Sequence, residues 1–251
     1  MPPGWGDDAL SEFLQTAHEN AFFVFTQHRR VHGLLCMVHE GFDVAVGIAS
    51  HGTPKYLAFF VTRAFSSYLA AIRLALSGQV AEAFAPLRVT IETAWYGLHV
   101  SADPESTKRM EAWLCRDDSE EAKWNVVKTF RAGDLKGTHK QRDAETAGIL
   151  EELYERCISM GAHPNPAGFL TSIVREEDET TLTHKVLVLN PQLLPLMFAT
   201  KTAIEVAVGV LRLFGLMYPR QYVNTGMLMR LDQIVDELNV AFQPYVPKVA
   251  G

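Results

Sequence analysis

Arg156 and His163 are residue types that can act together on an anionic substrate, and six residues separate them at the expected C-terminal end of a helix. Histidine gains and loses a proton near neutral pH, so its imidazole can serve as a general acid or base. An arginine guanidinium can stabilise negative charge that develops during a reaction. These properties make Arg156 and His163 the candidate catalytic residues.

A second polar group lies on a segment that is otherwise apolar, and it consists of Arg88, Glu92 and His99. Arg88 and Glu92 are four residues apart, so a helix would place them on one face, with His99 two turns further along. If that face points inward, the pair must be hydrogen-bonded, because breaking a buried pair costs roughly 3 to 5 kcal/mol. The pattern fits a structural ion pair, a ligand-binding pocket or an exposed pair, and we take all three residues as candidate ligand-binding residues.

The spacing of Arg156 and His163 resembles the Arg-x(4 to 6)-His motif of the HEPN helical ribonucleases. In that superfamily the motif pairs across a dimer and cleaves RNA. The imidazole acts on the ribose 2′-hydroxyl and the guanidinium stabilises the phosphate charge. The resemblance implies a HEPN-like ribonuclease in which His163 and Arg156 have these two roles.

A broader resemblance covers about residues 55 to 168 and rests on two motifs. The first is Gly78-x3-Glu82-Ala83-x3-Leu87-Arg88-x3-Glu92, and the second is Ser159-x3-His163-Pro164. Together they are similar to a family of uncharacterised bacterial helical domains. The resemblance implies a bacterial, all-helical protein in which Arg88, Glu92 and His163 form one cluster.

The strongest apolar periodicity runs from Pro54 to Val100 and predicts two amphipathic helices joined at residues 76–79. Gly78 suits the chain reversal, because glycine reaches the left-handed conformation that ends a helix. The second helix is apolar on nearly all sides, which is typical of a central helix. Pro86 lies inside it and is expected to kink the axis near Glu82.

The flanking segments give the remaining elements. A first helix is expected from the caps Asp7, Asp8 and Ser11 to about residue 30. The later predictions, in chain order, are a broken helix over 33–52, a helix from 101–105 through Phe130, a mobile loop over 131–142, a helix over 143–160, a loop and a β-hairpin over 161–189, a helix from Asn190–Pro191 to about Tyr218, and a last helix over 224–242.

These elements predict a mainly all-α fold, with a bundle of six or seven helices around the central apolar helical hairpin and one β-hairpin insertion near 169–189. The chain is expected to form a single helical domain over 1–251. Its bundle helices would come from 7–160 and 190–242, and its loop and β-hairpin insertion from 161–189.

Composition limits the classes of function. The chain has 251 residues, 48% hydrophobic and 21% charged, as in an ordinary globular protein. A net charge of −6 argues against general DNA binding. The chain lacks a run of 18 uncharged apolar residues and an N-terminal signal pattern, so neither a membrane span nor secretion is expected. Three cysteines suit a reducing cytoplasm.

No cofactor is expected, and no metal site either. His28 and His32 share a helix face at a spacing that a metal could use, but no Asp, Glu or Cys completes a recognised ligand pattern.

Two functions of different class follow from the sequence. In the first, the protein is a soluble helical interaction or structural module that forms a homo-oligomer, and its buried polar residues only fix packing. In the second, Arg88, Glu92, Arg156 and His163 converge on a cleft that binds a small anionic ligand, such as a nucleotide, or RNA. The sequence does not decide whether the protein is an enzyme.

Overall fold

A computed structural model of the chain describes residues 2–52, 54–103, 107–164, 166–170, 172–177, 182–190 and 192–245. The helices are α1 (Ala9–Gln27), α2 (Arg29–His51), α3 (Leu57–Ser77), α4 (Phe84–Ser101), α5 (Lys108–Leu114), α6 (Glu120–Thr129), α7 (Ala132–Arg142), α8 (Ala144–Cys157), α9 (Pro166–Leu170), α10 (Leu193–Met217), α11 (Pro219–Asn224) and α12 (Met227–Phe242). The strands are β1 (Ile173–Glu177) and β2 (Leu182–Val186). This architecture confirms the predicted mainly α-helical bundle, although its helices are shorter and more numerous than predicted.

The central hairpin of α3 and α4 is present, and Gly78 ends α3 with φ of +95°, as a left-handed helix cap requires. The kink expected at Pro86 does not occur. Helix α4 begins only at Phe84, so Pro86 occupies its first turn, where the missing amide hydrogen has no helical partner to lose. Leu87, one turn into α4, is completely buried.

Helix α10 is a second central helix, and most of its 25 residues are buried. It packs against α2, α3, α4, α8 and α12. One connected cluster of buried apolar side chains extends from Val24 in α1 to Phe242 in α12. The core therefore lies around α4 and α10.

The N-terminal helices differ from the prediction in one respect. Asp8 caps α1, since its Oδ1 accepts hydrogen bonds from the backbone amides of Leu10 and Ser11 at 2.9 and 3.0 Å. The first helix stops at Gln27, and α2 then runs unbroken to His51, so the predicted broken helix was wrong. Gly41 does not interrupt α2. It allows close packing, because an added Cβ would lie 3.0 Å from Leu211 Cδ1.

Two further predictions are corrected between residues 107 and 142. The helix expected to run through Phe130 is divided into α5 and α6, and the Ser119 hydroxyl caps α6 by accepting from the amide of Ala122 at 3.1 Å. The expected helix start at Pro104 and Glu105 lies outside the described residues. The expected loop over 131–142 is helix α7, which packs against α4 and α8 and buries Leu135.

The predicted β-hairpin is confirmed. Strands β1 and β2 pair antiparallel, with Ile173 opposite Val186 and Glu177 opposite Leu182. Residues 178–181, which include part of the predicted acidic turn, lie outside the described residues. The hairpin follows the short helix α9 and leads into α10.

Three helices, α2, α3 and α10, are long and apolar enough to cross a membrane by length and composition alone. In the most apolar 18-residue stretch of each helix, 67% of the residues are buried inside the protein in α10, and 39% in α2 and in α3. The absence of a membrane span, the cytoplasmic location and the single domain stay predictions from the sequence.

Candidate functional site

Four side chains from three parts of the chain meet in one polar group, the Arg88 cluster, formed by Arg88, Glu92, Tyr154 and His163. The Arg88 Nε donates to Glu92 Oε1 at 2.8 Å, and the Tyr154 hydroxyl donates to the same oxygen at 2.9 Å. The Arg88 Nη1 lies 2.5 Å from His163 Nε2. The structure thus brings Arg88, Glu92 and His163 together and adds Tyr154, which was not among the candidate residues of the sequence.

Helix geometry explains how these residues meet. Arg88 and Glu92 are one turn apart on α4, and Tyr154 faces them from α8. His163 follows a π-helical turn, Ile158–Ala162, that extends α8. Gly161 in that turn lies against the chain before α4, where an added Cβ would overlap the carbonyl oxygen of Ala81 and lie 2.7 Å from its carbonyl carbon. Only glycine permits this close approach, which leaves His163 beside Arg88.

The protonation states of the cluster follow from its contacts. Partial burial favours neutral Arg88, but the hydrogen bond and charge of Glu92 outweigh burial and raise the pKa of the guanidinium. Burial, then Glu92, raises the pKa of Tyr154, so its hydroxyl remains a donor. A guanidinium can only donate, so His163 Nε2 must accept and the proton of the neutral imidazole is on Nδ1. Proton abstraction through Nε2 would therefore require Arg88 to move.

Arg156 does not join this cluster within the chain. Its Nη1 donates to Glu205 Oε2 at 2.7 Å and lies 3.5 Å from the hydroxyl of Thr202. Both partners belong to α10, whereas His163 contacts α4. The two candidate catalytic residues thus face different helices, and Glu205 also pairs with Lys201.

His99 has a structural environment that is separate from the cluster. Its Nε2 lies 3.0 Å from the carbonyl oxygen of Thr129 and its Nδ1 lies 2.7 Å from the hydroxyl of Thr138. The carbonyl must accept, so Nε2 carries the proton and Nδ1 accepts from the hydroxyl. Burial, assisted by the charge of Arg109, lowers the pKa of His99 and keeps the ring neutral. His99 links α4 to α6 and α7 through hydrogen bonds at both ring nitrogens, so neither nitrogen is available to a ligand.

Residues of α7 that sequence reasoning assigned to a loop lie next to the cluster. Lys136 Nζ is 5.0 Å from the ring centroid of Tyr154 and 5.6 Å from that of Trp95, within cation–π range. Lys136 also pairs with Glu155 at 3.5 Å. The four-residue spacing of buried Leu135 and His139 was the signal that could have identified this helix.

The two N-terminal histidines make separate contacts. His28 Nδ1 lies 2.7 Å from the hydroxyl of Tyr245, and His32 Nδ1 lies 3.5 Å from the Cys36 sulfur. Within the described part of the chain, no group of three or more His, Cys, Asp and Glu residues is arranged to hold a metal ion.

No protein-family model, curated protein or solved structure matches this chain. By its fold, the protein is a mainly α-helical bundle with a polar cluster between α4, α8 and the turn after α8.

A double-mutant cycle should measure the strength of the Arg88–Glu92 pair. The side chains are 26% and 34% exposed, so the pair is only partly desolvated and weaker than a fully buried one. We expect Glu92→Ala to cost about 1 to 2 kcal/mol, because it removes the acceptor of two hydrogen bonds. Arg88→Ala should cost less, and the double variant should cost less than the sum. Urea unfolding of the four proteins measures these values, and strictly additive effects would contradict the pairing.

His139 should make stability depend on pH. Its Nδ1 accepts from the Trp95 indole at 3.2 Å, and burial lowers its pKa from 6.5 to about 4. The unfolded imidazole binds a proton near pH 6.5, whereas the folded one does not. The stability contributed by the neutral ring is therefore fully present above about pH 6.5 and is lost as the pH falls toward 4, by about 3 kcal/mol.

Urea unfolding at pH 7.5, 6 and 4.5 measures this loss. His139→Gln keeps an acceptor for Trp95 and removes the titration, so its stability should fall less over the same range. His99, whose pKa is also lowered, is retained in both proteins as an internal reference. Equal pH dependence in the two proteins would show that His139 is not the responsible group.

Proposed function

We propose that the protein is a helical interaction module that forms a homodimer through an apolar surface on α1. The observation that carries the proposal is the exposure of this helix. Of its 19 residues, α1 buries only Ser11 and Val24. A helix with such an apolar sequence normally buries one side, so a surface of this kind marks an interaction site.

Four of the exposed residues of α1 lie along one ridge at a spacing of four, and we name them the α1 stripe: Leu10, Leu14, His18 and Phe22. Leu10 is 67% exposed and Phe22 is 56% exposed. His18 and Phe22 hold each other in an edge-to-face contact with ring centroids 4.5 Å apart. Ridges of this spacing interdigitate in the commonest class of helix packing. Two copies related by a two-fold axis can therefore pair through the same surface.

The total surface supports the same proposal. The accessible area is 14125 Å². A folded monomer of 28.0 kDa exposes about 11,000 Å². The excess is about 3,000 Å², whereas an interface of standard size needs only about 800 Å² from each partner.

Light scattering after size-exclusion chromatography tests the proposal. We expect the wild type to have the mass of two chains and the Leu10→Glu/Phe22→Glu variant that of one, because a dimer would bury four carboxylates against apolar surface. Met229→Glu is the matched control, since Met229 is 70% exposed on α12, and it should leave the dimer intact. At a concentration low enough to dissociate the wild-type dimer, the melting curves of the variants should match that of the wild type.

Two results would refute the proposed dimer. The first is a wild-type mass of one chain at about 100 μM, well above the dissociation constants of standard interfaces. The second is a monomer that sediments with phosphatidylcholine vesicles and loses this property in Leu10→Glu/Phe22→Glu. That second result would assign the α1 stripe to a membrane surface.

A second function, binding of an anionic ligand such as an RNA phosphate, is favoured by the contact between Arg88 and the exposed His163. A phosphate oxygen could replace Nε2 as the acceptor of the guanidinium and leave the imidazole free. Wild type, Arg156→Ala and His163→Ala incubated with mixed RNA test this function. Cleavage lost in both variants would support the ribonuclease role. No cleavage, with a lowered melting temperature for His163→Ala, would leave His163 a structural role.

A further inference from the structure

We infer that a cleft beside the Arg88 cluster binds a small organic anion with an aromatic body, a site independent of the proposed dimer. The cleft has a volume of about 300 Å³. We name it the aromatic cleft, and its lining includes Phe59, Phe60, Arg63, Glu92, Tyr96 and Trp113. These residues come from α3, α4 and α5. The volume is at the lower end of the range for small-molecule sites, which suits a ligand of one or two rings.

The aromatic side chains of the cleft are held in place by packing. Phe60 and Trp113 lie with ring centroids 5.2 Å apart. Tyr96 stacks on Phe130, the residue that follows α6, with ring centroids 4.7 Å apart and an interplanar angle of 11°. Fixed rings of this kind bind a flat apolar group by stacking and edge contacts at a small cost in side-chain entropy. The body of the ligand is therefore expected to be aromatic.

The charges of the cleft favour an anionic head group. Glu92 lines the cleft, but its carboxylate is already paired with Arg88 and hydrogen-bonded by Tyr154. Arg63 makes no ion pair or hydrogen bond within the part of the chain that the structure describes. The uncompensated charge is therefore the guanidinium of Arg63, whose planar fork suits a carboxylate.

Charges of both signs act on Tyr96. Burial and then Glu92 raise the pKa of its phenol, whereas the charge of Arg116 acts in the opposite direction. An aromatic cage with a free carboxylate would suit a quaternary ammonium ligand, but here the carboxylate is ion-paired with Arg88.

Two probes with the same rings and opposite charges test the site: 2-naphthylacetate and 2-(2-naphthyl)ethylamine. Calorimetric titration of the full chain should give a dissociation constant of about 1 mM for the acid, typical of a ligand with so few atoms. The amine should bind at least about tenfold more weakly. Arg63→Gln should raise the dissociation constant of the acid about tenfold, because it removes a charged donor. Trp113→Leu should also weaken binding of the acid.

Arg73→Gln is the matched control, because Arg73 is an exposed arginine on the same helix outside the cleft, and it should leave binding unchanged. Melting curves separate folding defects from binding defects. If Trp113→Leu unfolds, Arg63→Gln still decides the result, because Arg63 is an exposed residue. Equal or tighter binding of the amine, no binding of the acid at about 20 mM, about twentyfold above the expected constant, or equal binding of the acid by wild type and Arg63→Gln would overturn the assignment.

Discussion

Shortening Leu87 to alanine is expected to lower the free energy of unfolding by about 2 to 5 kcal/mol. Leu87 is completely buried on α4, which packs against α3, α7, α8 and α10. Neighbours on so many sides cannot all move inward, so much of the removed volume should remain as a cavity. Urea unfolding measures the loss. Leu114→Ala, at a side chain that is 60% exposed, should change stability by less than about 0.5 kcal/mol.

If Leu87→Ala unfolds at the same urea concentration as the wild type, α4 is a peripheral helix and the core has been assigned wrongly. An equal loss in Leu114→Ala would instead show that the loss does not depend on burial, because alanine favours a helix at least as well as leucine does.

Replacing Gly161 with alanine should cost about 2 to 3 kcal/mol, because the new methyl group would overlap the backbone carbonyl of Ala81 and force the turn away. The same displacement should separate His163 from Arg88. Urea unfolding reports the first effect, and the imidazole chemical shifts of His163 report the second. Gly148→Ala on α8 is the matched control, since an added Cβ there meets nothing within 4 Å. It should preserve or raise stability, because alanine favours a helix.

A stable Gly161→Ala protein in which the His163 resonances are unchanged would contradict the close approach of the turn to Ala81. The comparison with Gly148→Ala removes the general effect of alanine on helix formation, so the remaining difference belongs to the contact itself.

The helices that could be predicted are those whose own sequence shows what they bury. Burial on one side imposes a period of 3.6 residues, so α3 and most of α4 are visible in the apolar spacing. Helix α7 was missed because it has few apolar residues and includes Gly133 and Gly137. Its stability comes from packing against α4 and α8, and local sequence does not record such tertiary contacts.

In the candidate site, too, contacts within one helix could be predicted and contacts between distant segments could not. The four-residue spacing of Arg88 and Glu92 predicts their contact, whereas Tyr154 reaches Glu92 from 62 residues away. Arg156 and His163 were paired because their spacing resembles the Arg-x(4 to 6)-His motif. The π-helical turn and the non-helical Gly161 redirect the chain, so Arg156 faces α10 and His163 faces α4.

The unequal burial of α1 and α10 has a consequence for amide hydrogen exchange. The amides of α10 can exchange only when the core opens, whereas those of α1 need only a local opening, since so few of its side chains are buried. Deuterium should therefore enter α1 much earlier than α10. Association through the α1 stripe would add the free energy of dimerisation to that local opening. The exchange rate of α1 should then fall as the protein concentration rises, while the rate of α10 changes far less.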